Sequence, residues 1–310
     1  MTTEPLAVAS GCSILPNQPG KKNPLRLLAK IPPSVARIVT AVVLLPILIA
    51  SIIVPKLEPI FVLLVAVALL LSLLEFWILA RAQQVRADPV AGVLGASALF
   101  VVFYFTEPRR PPDLLAIVIV LIAFTICSLV AAMLRGAPFE RMITSSAVTV
   151  LGVLYVFLLG GHLIALRTGF SDRLSKHLLS FFFLVLMGSD SAAYYGGRAF
   201  GRHKLAPTIS PGKTWEGAVA GMLASLLLAA AAHYWFFPEL PLKLALPLAA
   251  VMNIIGVLGD LTESALKRSV GKKDTAQILP GHGGMLDRID SLLFNAPLIY
   301  YFALAYFARS

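Results

Sequence analysis

The chain contains few cysteines and few charged residues. Among its 310 residues there are only two cysteines, Cys12 in a polar tail and Cys127 inside an apolar run, so neither a disulfide framework nor a cysteine metal site follows. Charged residues make up 14% of the chain, against about 25% in soluble domains. Hydrophobic residues make up 58%, against about 45–50%. These proportions exclude an ordinary soluble domain and indicate a membrane protein.

Apolar segments long enough to cross a bilayer recur along the chain. A window of about 20 residues selects nine of them, near 38–54, 59–80, 90–105, 114–134, 143–166, 178–197, 216–237, 241–259 and 289–308. Residues 1–37, rich in Pro, Gly and Lys, are predicted to form a mobile basic tail. We therefore predict an all-α, polytopic integral membrane protein with about nine transmembrane helices.

The distribution of lysine and arginine predicts the orientation. The net charge of +10 is spread over the loops rather than over one soluble basic face, so we do not predict nucleic-acid binding. If the N-terminus is cytoplasmic, 18 of the 26 cations lie on the cytoplasmic side, and the others are Lys56, Arg109, Arg110, Arg167, Arg173, Lys176, Lys243 and Arg309. The positive-inside rule then favours N-in, C-out, although the 167–177 loop carries three cations against it.

Polar residues concentrate in the second half of the chain. Asp190, Asn253, Asp260 and Glu263 lie in or at the ends of apolar segments, where ionisable groups are costly and mark function. The unit 38–310 thus divides into apolar scaffold spans, 38–180, and a catalytic half, 181–310. With nine spans, the polar loops 198–215 and 260–288 fall on the same side.

The densest polar stretch, residues 264–290, reads S-A-L-K-R-S-V-G-K-K-D-T-A-Q-I-L-P-G-H-G-G-M-L-D-R-I-D. Just before and within it, Asp260, Glu263, Ser264 and Lys267 have spacings that place them on one helix face. Asp287 begins a second acidic turn, which Asp290 completes. Carboxylates from two helix ends can converge on Mg²⁺, which also takes phosphate oxygens and water. The simpler alternative for each carboxylate is a solvated charge at a helix end.

Most of the predicted metal and phosphate ligands lie in this stretch or just before it. Asp260 and Asp287 are the primary candidates for the metal, and Asp190, Glu263 and Asp290 are secondary. The turn 280–284 offers backbone N–H groups at Gly283 and Gly284 that can bind an anion, or it simply reverses the chain. His282 can bind phosphate or carry a proton, or merely cap the next helix. The predicted phosphate ligands are Ser210, Lys213, Ser264, Lys267, Arg268, Lys273 and Arg288, whereas Lys272 is predicted to be solvated.

Three other features receive structural interpretations. The Gly-Lys-Thr at 212–214 is not a P-loop, because position 207 is proline where that motif needs glycine. Tyr194 and Tyr195 are interpreted as interfacial anchors. Glu75, in an otherwise apolar segment, is interpreted as an interfacial capping residue rather than a catalytic one.

The fixed polar positions of 264–290 resemble the signature of the phosphatidate cytidylyltransferases, the CDP-diacylglycerol synthases. The matching elements are Ser264, Lys267-Arg268, Lys273-Asp274, Leu279-Pro280, His282-Gly283-Gly284, Asp287-Arg288 and Asp290, and the resemblance extends over about 185–295. It departs at Gly212, where relatives often carry lysine, and at Ala276, where glycine is frequent.

The resemblance implies a bacterial inner-membrane enzyme whose site faces the cytoplasm. Its substrates would be CTP and phosphatidic acid from the bilayer, its cofactor Mg²⁺, with K⁺ as a second ion, and its metal ligands Asp260 and Asp287. The catalytic set would be Asp260, Lys267, His282 and Asp287. A CTP-dependent lipid or polyprenol kinase is the alternative, and a transporter is less favoured because the polar residues lie in one half only. The oligomeric state stays open, with a homodimer as one possibility.

Overall fold

The computed structural model describes residues 33–105, 114–136, 139–271 and 283–307, with side chains from residue 42 onward. Within these ranges the chain forms long helices and one short hairpin. The helices are α1 (Pro33–Ile53), α2 (Glu58–Ala82), α3 (Pro89–Tyr104), α4 (Leu114–Leu134), α5 (Phe139–Thr168), α6 (Asp172–Phe200), α7 (Trp215–Trp235), α8 (Leu242–Ser269) and α9 (Leu286–Phe307). The strands β1 (Lys204–Ala206) and β2 (Ser210–Thr214) pair antiparallel between α6 and α7.

All nine predicted apolar segments overlap a helix, so the all-α membrane fold is confirmed. Among the described residues, seven helices are long and apolar enough to span a membrane, and two shorter apolar stretches are α3 and the part of α1 from Val42 to Ile53. The predicted tail 1–37 lies mostly outside the described residues, except that α1 already begins at Pro33.

The predicted loop boundaries need correction at two places. α8 continues to Ser269, so the first ten residues of the predicted 260–288 loop are helical. α6 runs from Asp172 to Phe200 instead of covering only 178–197. A hydropathy window stops where charged side chains begin, whereas the backbone hydrogen bonds of a helix continue through them. The hairpin was also not predicted, because its second strand contains Pro211 and Gly212, two residues that are depleted in strands.

Local sequence signals explain several helix starts. Asp88 precedes Pro89 and its Oδ1 accepts hydrogen bonds from Val90 N at 3.0 Å and Ala91 N at 3.2 Å, so it caps α3. Thr214 caps α7 by accepting from Gly217 N at 3.1 Å. The cap also fixes the junction between β2 and α7, which share no intervening loop.

The helices differ in how much of their surface they bury. α5 is central, with 61% of its most apolar window buried, and it contains the π-helical segment Leu154–Leu158. α4 is peripheral, with 17% buried. Its exposed apolar side chains, such as Ile119, Ile122 and Ile126, therefore suit contact with lipid rather than water.

Close helix contacts in the second half depend on glycine. A Cβ at Gly217 of α7 would come within 2.7 Å of Ala193 O on α6. One at Gly259 of α8 would come within 2.8 Å of Asp290 O on α9. Because glycine has no side chain, the backbones of α6 and α7, and of α8 and α9, can lie close together. These contacts place the polar ends of the helices around one cavity.

Candidate active site

A polar cavity of about 670 Å³ lies among the C-terminal parts of α6 and α8, the hairpin and the N-termini of α7 and α9. Five carboxylates and four cations line it: Asp190, Asp260, Glu263, Asp287, Asp290, Arg198, Lys213, Lys267 and Arg288. All five predicted metal candidates therefore meet in one cavity. Both polar loops contribute to it, as expected if they lie on the same side.

Lys267 joins the two acidic helix ends. Its Nζ lies 2.6 Å from Glu263 Oε2, one turn earlier on α8, and 2.8 Å from Asp287 Oδ1 on α9. Glu263 is almost fully buried, and its carboxyl is within hydrogen-bond reach of Asp287 as well as of Lys267. The predicted helix face on α8 and its convergence with the start of α9 are both present.

The hairpin brings a second lysine to the cavity. Lys213 Nζ on β2 lies 2.7 Å from Asp260 Oδ2 on α8. Ser264 Oγ donates to the other oxygen of Asp260 at 3.4 Å. Ser210 also lines the cavity, at the other end of β2. These residues form the second lysine–carboxylate cluster, on the hairpin side of the cavity.

The first turn of α9 holds its acidic side chains in place. Gly283 has a φ of 77°, a left-handed conformation that glycine adopts without strain. Gly284 N donates to Asp287 Oδ2 at 3.2 Å, and Ser291 N donates to Asp290 Oδ1 at 2.6 Å. One oxygen of Asp287 thus faces backbone and the other faces Lys267.

Glu75 supports this turn from the scaffold half. Its side chain is fully buried; Oε1 accepts from Met285 N and Oε2 from Leu286 N, both at 2.8 Å. The carboxylate satisfies donors at the positive end of the α9 dipole. The predicted capping role is confirmed, but the capped helix lies 210 residues further along the chain. Sequence spacing carries no signal for such a distant partner.

Other predicted ligands lie outside the cavity wall. Arg268 is exposed, and its Nε donates to Ile209 O at 3.2 Å, so it helps to hold the hairpin against α8. Gly283 and Gly284 adjoin Asp287 without lining the cavity themselves. His282, Lys272 and Lys273 lie outside the described residues.

Sequence analysis missed part of the α6 wall. Tyr194 and Arg198 line the cavity together with Asp190. Their spacing of four residues places all three on one helix face, a signal that the sequence already contained. The tyrosine, interpreted as an anchor, is 62% exposed at the cavity wall.

The donor chemistry of the cavity fits a magnesium ion. No three carboxylates of the described chain form a ready-made metal cluster, and Lys213 and Lys267 pair with Asp260 and Asp287 instead. Mg²⁺ commonly binds through one or two carboxylates and completes its shell with phosphate oxygens and water. The two aspartates, with the carboxyl of Glu263 in the same cavity, fit that requirement.

Fold and site together define a class: a polytopic α-helical membrane protein with an acidic and basic cavity at the ends of its helices. The sequence matches the model described as "Cytidylyltransferase family" over residues 35–306. The chain therefore belongs to the cytidylyltransferase family.

Individual relatives agree with this assignment. The chain is 34% identical over 238 residues to a phosphatidate cytidylyltransferase of Staphylococcus haemolyticus, an alignment covering 75% of this chain and 86% of the relative. It is 45% identical over 129 residues to the enzyme of that name from Haemophilus influenzae, covering 40% and 45%. A third, from Staphylococcus saprophyticus, is 46% identical over 123 residues, covering 40% and 47%. The resemblance inferred from residues 264–290 is confirmed.

Proposed function

We propose that this protein transfers the cytidylyl group of CTP to phosphatidic acid, giving CDP-diacylglycerol and pyrophosphate. The observation that carries the proposal is the cavity where acidic and basic side chains of α6, β2, α8 and α9 meet, in a chain of the cytidylyltransferase family. Its place at the ends of apolar helices suits one substrate from the bilayer and one from water.

The reaction needs no nucleophile from the protein. An oxygen of the lipid phosphate forms a bond to the α-phosphorus of CTP, and the bond from that phosphorus to the bridging oxygen of the β-phosphate breaks. The electron pair leaves with pyrophosphate. Catalysis then consists of holding two polyanions together and stabilising the charge on the leaving group.

The cationic side chains of the cavity bind the phosphate groups of the two substrates. Lys213 and Lys267 neutralise Asp260 and Asp287, and they would be available to substrate phosphates if those carboxylates held a metal ion. Arg288 and Ser210 line the same cavity and supply further donors. Arg268, Lys273 and His282 remain predicted ligands, the last as phosphate binder or proton carrier.

Asp260 and Asp287 would hold Mg²⁺. When bound, this ion supplies charge neutralisation between the two substrates and at the leaving pyrophosphate. A K⁺ ion at the same centre is part of the proposal, since further carboxylates of Glu263 and Asp290 lie in the cavity. The aspartates in turn orient Lys267 and Lys213 across the two helix ends.

The test uses the purified full-length chain with phosphatidic acid, Mg²⁺ and CTP labelled at either the α- or the γ-phosphate. We expect α-label in the extracted lipid, dependent on both phosphatidic acid and Mg²⁺. Label that reaches lipid only from the γ-position would establish a kinase instead. Nucleotide-independent movement of a substrate across vesicles, without label in lipid, would favour a transporter.

We also propose that the site faces the cytoplasm of a bacterial inner membrane, with N-in, C-out topology. The ends of α2 and α8 lie together, where Gln83 Nε2 donates to Ser269 O at 2.9 Å, and this is the face with most cations. On the opposite face, Arg167 at the end of α5 and Arg173 at the start of α6 are paired with Glu58 and Glu239. A reporter fused after Ser310 should be extracytoplasmic; a cytoplasmic reporter would refute nine spans with this orientation.

A further inference from the structure

A second, basic cavity lies on the same face of the molecule as the candidate active site. It measures about 340 Å³ and is lined by Arg81, Gln84, Arg86 and Arg141. These residues come from the end of α2, the following turn and the start of α5. The cavity shares no lining residue with the candidate active site.

Among the described residues that line this cavity there are three guanidinium groups and no carboxylate. Within the described parts of the chain, Arg81, Arg86 and Arg141 form no ion pair. The neighbouring Arg135, by contrast, is paired with Asp88. Three like charges around one concave surface repel one another, and an anion bound between them removes that cost. Guanidinium groups also match phosphate oxygens in geometry, because each can donate two parallel hydrogen bonds.

The backbone around the cavity is held in place. Ser145 Oγ on α5 donates to Arg86 O at 2.5 Å, and Asp88 N donates to Thr149 Oγ1 at 2.8 Å. These bonds tie the turn after α2 to α5. The arginines therefore extend from fixed points, which reduces the ordering that an incoming anion must impose.

Gln84 independently indicates that this cavity binds a ligand. Its φ of 61° is left-handed, and it ends α2 in a Schellman-type cap, with Gln84 N donating to Arg81 O at 3.0 Å and Val85 N to Ala80 O at 3.3 Å. Glycine is the usual residue at this position because it adopts the conformation without strain. Here the residue is a glutamine, whose side-chain amide can donate a hydrogen bond, and it lines the cavity.

The surface below Arg81 indicates where the ligand comes from. Val67, Leu70, Leu74 and Ile78 are exposed on α2 at spacings of three and four residues, and the same stripe ends at Arg81. An acyl chain can lie along this stripe while its headgroup reaches the arginines. A phospholipid is thus a natural source of the anion.

We propose that this cavity is a binding site for a phosphate group, separate from the substrate cavity and supplied by an anionic phospholipid or by soluble phosphate. The site goes beyond the proposed reaction, because nothing in it depends on the carboxylates of α8 and α9. Its position beside the Gln83–Ser269 contact puts the bound anion close to the end of α8.

Native mass spectrometry of the detergent-purified full-length protein tests the lipid source. The probes are phosphatidylglycerol and phosphatidylcholine with identical acyl chains. We expect retention of phosphatidylglycerol but not phosphatidylcholine, and a loss of about tenfold or more in affinity in Arg81→Gln/Arg86→Gln, since each bond to a charged group is worth about that factor. The matched control is Arg202→Gln/Lys204→Gln, which removes the same charge from exposed positions near the hairpin and should retain the lipid.

Gln84→Gly separates binding from turn integrity. It removes the amide and suits the left-handed backbone, so thermal stability should be unchanged or higher while phosphatidylglycerol retention weakens. For soluble phosphate, the readout is the rise in melting temperature of wild type with added inorganic phosphate, lost in Arg81→Gln/Arg86→Gln. If neither lipid retention nor the phosphate shift differs between this variant and its control, the proposal is overturned. Because no readout uses cytidylyl transfer, its failure is distinct from failure of the proposed activity.

Discussion

The two halves of the membrane-embedded unit use their charged side chains differently. In the scaffold half, the buried charged side chains have fixed partners: Glu75 caps α9, Asp88 caps α3, and Arg167 pairs with Glu58 and Asp172. In the catalytic half, five carboxylates face one cavity, where Lys213 and Lys267 neutralise Asp260 and Asp287.

The difference separates two uses of a charge inside an apolar fold. A carboxylate bound to backbone N–H groups closes a helix end and cannot change partner without breaking that end. A carboxylate paired with a lysine beside a cavity closes no helix end through that pair, so it would be available to hold a metal ion. Burial alone does not distinguish the two uses, since Glu75 and Glu263 are both almost fully buried.

The largest expected effect lies in the catalytic half. Asp287→Asn or Asp260→Asn should lower the rate of cytidylyl transfer about a hundredfold or more, because a catalytic metal contributes several kcal/mol of transition-state stabilisation. Each change keeps side-chain size but removes the charge that would hold Mg²⁺. The measurement is lipid labelling from α-labelled CTP at saturating Mg²⁺, with membrane insertion and thermal stability checked in parallel.

Lys272→Ala is the control for these variants. Lys272 is predicted to be a solvated cation, so its removal should lower the transfer rate little. A near-normal rate for Asp287→Asn in saturating Mg²⁺ would refute the two-aspartate site and turn attention to Asp190 and Asp290.

Glu75 should show an intermediate effect, because it belongs to the scaffold but holds the first turn of α9. Glu75→Gln places an amide donor against Met285 N or Leu286 N. One unsatisfied N–H costs about 1–3 kcal/mol of stability. The weakened first turn of α9 should also displace Asp287, which should lower kcat about tenfold. We expect kcat to fall more than KM for CTP rises.

The comparison variant is Asp88→Asn, which keeps the capping oxygen of α3 but removes the ion pair with Arg135, away from the cavity. It should lower thermal stability while kcat of the folded enzyme stays normal. Equal kcat losses in the two variants would mean that Glu75 has only a general structural role.

Arg167 should affect stability without affecting chemistry. Its side chain is 2% exposed and lies 3.1 Å from Glu58 Oε2 and 3.4 Å from Asp172 Oδ1, at the face opposite the cavity. Arg167→Met leaves two partly solvated carboxylates unpaired, so we expect a loss of about 1–3 kcal/mol, below the value for a fully buried pair. Thermal unfolding measures it, with transfer rates at low temperature as the second readout.

Arg173→Met is the comparison for that variant. The Arg173–Glu239 pair is 2.6 Å long, but the arginine is 74% exposed, so its removal should cost at most about 1 kcal/mol. Equal destabilisation by the two changes would contradict the argument from burial.

Particular residues show how far the sequence leads. Apolar runs predict the helices, because lipid-facing and buried positions of a membrane helix both require apolar side chains. The spacing of Asp260, Glu263 and Lys267 predicts the acidic face of α8. The bond from Glu75 to α9 and the cavity wall built by the hairpin are not predictable in this way. They depend on contacts between distant segments, which leave no periodic pattern in the sequence.

The smallest expected effect concerns Gly212, on the hairpin that carries Lys213. This residue lines the candidate active site, and a Cβ added there would meet no atom within 4 Å. Gly212→Lys therefore adds a phosphate-binding cation without steric cost. One exposed cation contributes about 0–1 kcal/mol, so KM for CTP should fall a few-fold with kcat nearly unchanged. Gly212→Gln is the neutral control and should leave KM as in wild type. A rise in KM with Gly212→Lys would show that the conformation of the hairpin, rather than its charge, limits nucleotide binding.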